Sequence, residues 1–222
     1  MGASLGGALK QPLRDRLSLW LLPLQLEPEM GLALLSDQER AWCRQLPEVL
    51  QARYRTSRAL LRQRLAPLLR LAPEAVPLHS PPGAPPRLAP GAGFVSLSHS
   101  RQQLLLGWSP QPIGVDLEWA QRPLLAEALA QRFFPLAEQR QLQAMAPEAR
   151  SRAVLESWVR KEAAIKWRGS SLASDLRHWQ FDSVCQQLIH LEAGWRPLSH
   201  CSLRDGWLCA VVGDGVGPGI WG

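Results

Sequence analysis

The chain has 222 residues, 46% of them hydrophobic and 20% charged, with a formal net charge of +6. That is enough chain to bury a sizeable core as one large domain or two small ones, which excludes a disordered tail protein. No apolar run is long enough to cross a membrane. The positive charge is written almost entirely as Arg: 22 Arg against three Lys, at Lys10, Lys161 and Lys166. From Val49 to Val115 eight Arg stand against the single acid Glu74, so a window of +7 exceeds the net charge of the whole chain. This asymmetry suits a local anion-binding face, for nucleic acid, a phosphorylated cofactor or an acidic protein, although a solvated Arg-rich helix face also accounts for it.

In chain order, residues 17–26 read as a strand interrupted by Pro23 and Gln25, not as a signal peptide. Gly6 stands where a lipidation signal starting at Gly2 requires Ser or Thr. Ser36 with Glu39 forms a capping box that predicts a helix running to about Gln45. A second helix is expected over residues 48–71, with Arg55, Arg58 and Arg62 on a shared face. Residues 77–93 hold six Pro and three Gly and read as a loop. Strands follow at 94–100, 104–108 and 113–118. Helices are expected at 123–132, 135–145 and 147–168, the last stopped by Gly169. Short strands at 179–181, 188–191, 201–203 and 207–212 complete the chain. Cys43, Cys185, Cys201 and Cys209 show no metal-ligand spacing and read as reduced, cytoplasmic thiols.

Two short segments repeat at nearly one offset. Leu97-Ser98-His99-Ser100 returns as Leu198-Ser199-His200-Cys201, and Ser57–Arg62 loosely echoes Lys161–Lys166. The expected fold class is therefore α+β, with two similar α/β halves arranged as a pseudo-dimer around a shared cleft. The halves divide at 1–110 and 111–222.

Asp116 and Glu118 are two apart on a strand, so both carboxylates point to one face while Val115 and Leu117 point into a core. Adjacent carboxylates repel, and a hard divalent ion such as Mg²⁺ removes that conflict. A solvated strand edge is the alternative for this pair taken alone. On the 147–168 helix, Glu162 and Lys166 are neighbours at i, i+4, Trp158 lies one turn earlier, and Ala163-Ala164 leave room for close packing. A third carboxylate for the ion and an ammonium for a phosphate oxygen make a coherent set; a surface ion pair is the plainer reading.

Gly114-Val115-Asp116-Leu117-Glu118, with 43 residues between Glu118 and Glu162, and then Trp158, Lys161, Glu162 and Lys166, closely resembles the signature of the 4′-phosphopantetheinyl transferases. Phe94–Ser100 is similar to that family's F-N-x-S-H-S segment, with Ser96 in place of Asn, and Ser57–Arg62 is similar to its N-terminal helix motif. The length resembles the broad-specificity, pseudo-dimeric class, and the W-x-R-K-E-A pattern resembles a secondary bacterial holo-acyl-carrier-protein synthase. The resemblance implies Mg²⁺ (or Mn²⁺) held by Asp116, Glu118 and Glu162, with coenzyme A as substrate. It implies Arg53, Arg58, Ser98, His99 and Lys166 on the cofactor, and catalysis by Asp116, Glu162 and Lys166. A serine of an apo acyl or peptidyl carrier protein would accept the phosphopantetheine arm, releasing adenosine 3′,5′-bisphosphate. The expected protein is a cytoplasmic monomer without nucleic-acid or membrane partners. One departure is Ala84, in Gly83-Ala84-Pro85, where the family commonly has a basic residue; Arg87 is the candidate substitute. The alternatives are a non-catalytic coenzyme A binder and an Arg-rich nucleic-acid-binding protein.

Overall fold

The computed structural model describes residues 16–217 and residue 221. Lys10, the Gly2 lipidation reading and the start of the signal-peptide reading lie outside the described residues. The first half holds β1 (Ser18–Pro23), α1 (Pro28–Leu34), α2 (Asp37–Gln45), α3 (Glu48–Leu69), the short β2 (Leu78–His79) and β3 (Arg87–Leu88), then β4 (Phe94–Ser100) and β5 (Gln103–Ser109). The second half holds β6 (Ile113–Trp119), α4 (Ala126–Phe133), α5 (Leu136–Gln143), α6 (Pro147–Arg168), α7 (Leu172–Asp175), β7 (Trp179–Asp182), β8 (Gln187–His190), β9 (Ser199–Arg204) and β10 (Trp207–Gly213). The fold is α+β, as the sequence predicts.

The main sheets repeat one design. The first has the order β1-β5-β4 and the second β6-β10-β9, with every pairing antiparallel. In each, a strand leads to a long helix and then to a hairpin whose second strand inserts beside the first. α3 and α6 both have 22 residues. The segments that echo in sequence fall on matching elements, α3 with α6 and β4 with β9, so the repetition in sequence is a repetition in structure.

The local signals act as their chemistry requires. The Ser36–Glu39 capping box is present, Ser36 Oγ accepting from the Glu39 N–H at 3.3 Å while Glu39 accepts from the Ser36 N–H at 3.1 Å. α6 opens with Pro147 in its first turn and stops at Gly169, whose φ of +67° closes the helix with bonds to Ile165 O and Lys166 O. The differences are modest. α1 fills a stretch that carries no capping signal, and its N-terminus has no side-chain cap. α4 begins at Ala126 rather than 123. The Pro-rich 77–93 loop includes only the two-residue ladder of β2 and β3.

One apolar core packs α3 on the first sheet, around Leu61, Leu65, Leu104 and Leu106. Another packs α6 on the second, around Val159, Ala163, Trp179 and Val212. A third joins the halves, with Leu19 and Leu105 of the first sheet meeting Val115, Leu117 and Val211 of the second. Val115 and Leu117 thus face inward, which commits Asp116 and Glu118 to the opposite face. Burial of these apolar faces drives the association of the halves. It also fixes where the carboxylates stand.

Candidate active site

The edge strand β4 of the first sheet lies beside the edge strand β6 of the second, and serine side chains connect them. Ser96 Oγ accepts the Val115 N–H at 3.0 Å, Ser98 Oγ donates to Asp116 Oδ1 at 2.6 Å, and Ser100 Oγ donates to Glu118 Oε2 at 3.0 Å. The three serines are spaced at i, i+2 and i+4 on one strand face. That spacing was available in the sequence, although their register against Asp116 and Glu118 was not.

α6 crosses directly over β6. A Cβ at Gly114 would lie 1.9 Å from Ala163 O and 2.4 Å from Trp167 N, so only a residue without a side chain lets strand and helix meet here. The small Ala163 and Ala164, both fully buried, serve the same approach. The contact brings Lys166 Nζ to 2.6 Å from Asp116 Oδ1. It also places Glu162 in the field of Asp116 and Glu118. Burial first, then Asp116 and Glu118, raise the Glu162 carboxyl to about 8, against the lowering effect of Lys166 and a hydrogen bond from Trp158. Four of the expected residues, Asp116, Glu118, Glu162 and Lys166, therefore converge, although 50 positions separate the first from the last.

The two β6 carboxylates are compensated differently. Asp116 is buried, and its Oδ1 receives both Ser98 and Lys166, while its Oδ2 is buried with no hydrogen-bond partner. Glu118 has both oxygens engaged, Oε2 by Ser100 and Oε1 by the guanidinium of Arg122. Among the described residues no three His, Cys, Asp or Glu side chains stand as a ready-made metal cage. The chemistry of the set nevertheless fits a divalent cation. An orphaned buried carboxylate oxygen, a neighbouring carboxyl pushed up by burial and then by like charge, and two side-chain cations drawn onto the remaining oxygens together suit a divalent cation.

Next to the acids lies a cationic patch from the first half. Desolvation by the surrounding protein and the charges of Arg53, Lys166 and Arg58 lower the His99 imidazole below its usual range. Arg53 is exposed. Arg58 is buried, its Nη1 3.2 Å from Ser57 Oγ and its guanidinium 5.0 Å from the Tyr54 ring. The expected residues Arg53, Arg58, Ser98, His99 and Lys166 thus share one neighbourhood.

Two sequence-based readings require correction. Arg62, grouped with Arg55 and Arg58 on an anion-binding face, is buried instead. It pairs with Glu39 Oε2 at 2.5 Å and caps the carbonyls of Pro73 at 2.8 Å and Val76 at 3.1 Å. Its charge serves the packing of α2, α3 and the chain after α3, so the +7 window overstates the free cationic surface. Lys161, singled out with Lys166 for the scarcity of Lys, is fully buried and turned away from Asp116. Its Nζ sits 2.7 Å from Glu138 Oε2 and 3.4 Å from the Phe134 ring centroid. Burial lowers its ammonium to about 8, against the opposing pull of Glu138. Glu138 also accepts from Ser157 Oγ and from the Phe181 N–H at 3.1 Å, tying α5 and β7 to α6. Arg87, the candidate replacement for a base at Ala84, lies opposite His79 and lines a groove of about 780 Å³ away from the acids.

Such a site, with carboxylates of the second half beside cations of the first where two edge strands meet, has the charges to hold both a cation and an anionic group. Comparison with known proteins identifies the class. Residues 112–212, which contain β6 and α6, match the family described as the 4′-phosphopantetheinyl transferase superfamily. The 4′-phosphopantetheinyl transferase HetI of a Nostoc species is 31% identical over 172 residues, covering 72% of each chain. The AcpT transferase of Escherichia coli K12 is 30% identical over 69% of this chain and 71% of its own length. The AcpT transferase of Salmonella typhimurium is 33% identical over 61% of this chain and 65% of its own. The chain belongs to the 4′-phosphopantetheinyl transferase superfamily and is an enzyme of the transferase class.

Proposed function

We propose that this chain transfers the 4′-phosphopantetheine group of coenzyme A to a serine of an apo acyl or peptidyl carrier protein, releasing adenosine 3′,5′-bisphosphate. One observation carries the reading: Asp116, Glu118, Glu162 and Lys166 converge, with a buried Asp116 oxygen left unpartnered and the Glu162 carboxyl raised by burial and by its acidic neighbours. Asp116, Glu118 and Glu162 would hold Mg²⁺ or Mn²⁺. A cation there would neutralise charge on the pyrophosphate.

The roles of the side chains follow from where they stand. Lys166 keeps 32% of its side chain exposed beside Asp116, so it can shift from Asp116 to a phosphate oxygen as charge develops. Ser98 and His99, with Arg58 buried behind them and Arg53 at the surface, suit the 3′-phosphate. In the transfer, the carrier serine Oγ bonds to the β-phosphorus and the bond from that phosphorus to the bridging oxygen of the departing nucleotide breaks. The serine proton leaves to Glu162, once its carboxyl is ionised, or to water.

The repeated sheets support division into halves at 1–110 and 111–222, a boundary that falls between β5 and β6, and they support the double-length class in which one chain forms the whole cleft. We take the working form to be a cytoplasmic monomer without nucleic-acid or membrane partners. No described helix is long and apolar enough to cross a membrane. The nucleic-acid alternative has less basis than the Arg count suggests, because Arg62 of the Arg-rich helix is paired with Glu39 in the interior.

The test is intact-mass spectrometry of apo carriers incubated with the protein, coenzyme A and Mg²⁺. The expected result is a phosphopantetheine adduct on at least one carrier, lost in Asp116→Asn and Lys166→Met. Absence of an adduct on fatty-acid, polyketide and peptide carriers alike, with coenzyme A affinity unaffected by either substitution, would overturn the proposal.

A further inference from the structure

The three carboxylates are not equally open to a cation. Asp116 keeps one buried oxygen without a hydrogen-bond partner, and no Arg or Lys forms an ion pair with Glu162 among the described residues. Glu118 alone has both oxygens taken, by Ser100 and by Arg122. The chain after β6 is built to deliver that guanidinium. The Ala120 N–H bonds to Gly206 O at 2.9 Å and the Arg122 N–H to Trp119 O at 3.0 Å, a turn that folds Arg122 back over Glu118. Pro123 then fixes the exit. Both partners are only partly shielded, with 34% of the Arg122 side chain and 18% of the Glu118 side chain exposed, so the guanidinium has solvent into which it can withdraw.

We infer that Arg122 is a resident counter-ion for Glu118, which a divalent cation must displace before Glu118 joins Asp116 and Glu162. This rests on the reading of those three carboxylates as the cation site. Arg122 is then a positioning residue. It keeps Glu118 aimed into the cleft while the site lacks a cation, and it sets a threshold against weakly held ions. Lys166 does not serve in the same way, because it shares Oδ1 of Asp116 with Ser98 and leaves Oδ2 uncovered. Once displaced, the Arg122 guanidinium stands at the rim of the cleft with its donors free for a phosphate oxygen.

The experiment is titration of the full chain with Mn²⁺ alone, followed by electron paramagnetic resonance, with neither coenzyme A nor carrier present. Arg122→Gln removes the competitor and should tighten Mn²⁺ binding by about two- to five-fold, the equivalent of a partly exposed ion pair. Arg101→Gln is the control for general electrostatics. Its guanidinium lies 5.5 Å from the Trp119 ring centroid and has no bond to Glu118, so it should shift the affinity less. Asp116→Asn separates the two levels of the argument. If it leaves Mn²⁺ binding at the wild-type value, the three-carboxylate reading fails. If it weakens binding but Arg122→Gln matches wild type or Arg101→Gln, the inference about Arg122 alone is overturned. Mn²⁺ binding undetectable in both wild type and Arg122→Gln over the same range also overturns it.

Discussion

Gly114→Ala isolates the contact on which the site depends. The added Cβ would sit 1.9 Å from Ala163 O and 2.4 Å from Trp167 N, whereas ordinary contact begins near 3.4 Å, so β6 and α6 must separate by about 1.5 Å. The clashing atoms are backbone within a helix, and no rotamer change relieves them. Overpacking of this kind costs roughly 1–3 kcal/mol. At about 2–4 °C per kcal/mol for a chain of this size, melting should fall by roughly 2–12 °C. The chemical effect should be larger. The displacement carries Glu162 and Lys166 away from Asp116, and a bond now 2.6 Å long cannot persist unchanged across it. Misplacement of reacting groups by about 1 Å costs on the order of 100-fold in rate. The assay pairs differential scanning fluorimetry with the initial rate of carrier modification by intact mass. A variant that melts within about 1 °C of wild type and keeps the wild-type rate would show that the close approach of β6 and α6 matters neither to packing nor to chemistry.

Other predictions address the buried charges and the cationic patch. Lys161→Met should destabilise the fold by about 3–5 kcal/mol in urea unfolding, because it strands the Glu138 carboxylate, and the double variant Lys161→Met with Glu138→Gln should recover part of that loss. No recovery would mean that Glu138 holds α5 and β7 chiefly through Ser157 and Phe181. Arg62→Ala should also cost about 3–5 kcal/mol while leaving coenzyme A affinity per folded molecule unchanged by calorimetry. A collapse of affinity in folded Arg62→Ala would return this residue to the binding face. The lowered His99 value has a definite sign: the folded protein resists the imidazolium, so stability present above the unfolded value near 6.5 is lost as pH falls toward the lower folded value. Melting temperature followed from pH 7.5 downward should drop less in His99→Asn than in wild type, and parallel profiles would count against this origin.

The local elements were legible because their signals are local. The capping box at Ser36, the Pro147 start and Gly169 stop of α6, and the alternation along β4 and β6 each depend on residues a few positions apart. The acidic pair at Asp116 and Glu118, and Glu162 with Lys166, were visible for the same reason, since strand and helix periodicity place each pair on one face. Their meeting was suggested by resemblance to a family and could not be derived from spacing.

What only the tertiary structure decided is which charges face the cleft. Arg58 and Arg62 are one helical turn apart and look equivalent in sequence, yet Arg62 is neutralised by Glu39, 23 positions away. Lys161 and Lys166 are five apart on one helix, yet one is held inside by Glu138 and the other reaches Asp116. Little more than a turn of helix separates an interior cation from one beside Asp116. Its orientation is set by which face the apolar residues bury, and the partner that neutralises it comes from a distant element. The sequence by itself determined the elements, their repetition and the supply of carboxylates and cations. The packing of α6 on β6, permitted by Gly114, and of the first sheet on the second, driven by the core around Leu19 and Val115, decided which of them form the site.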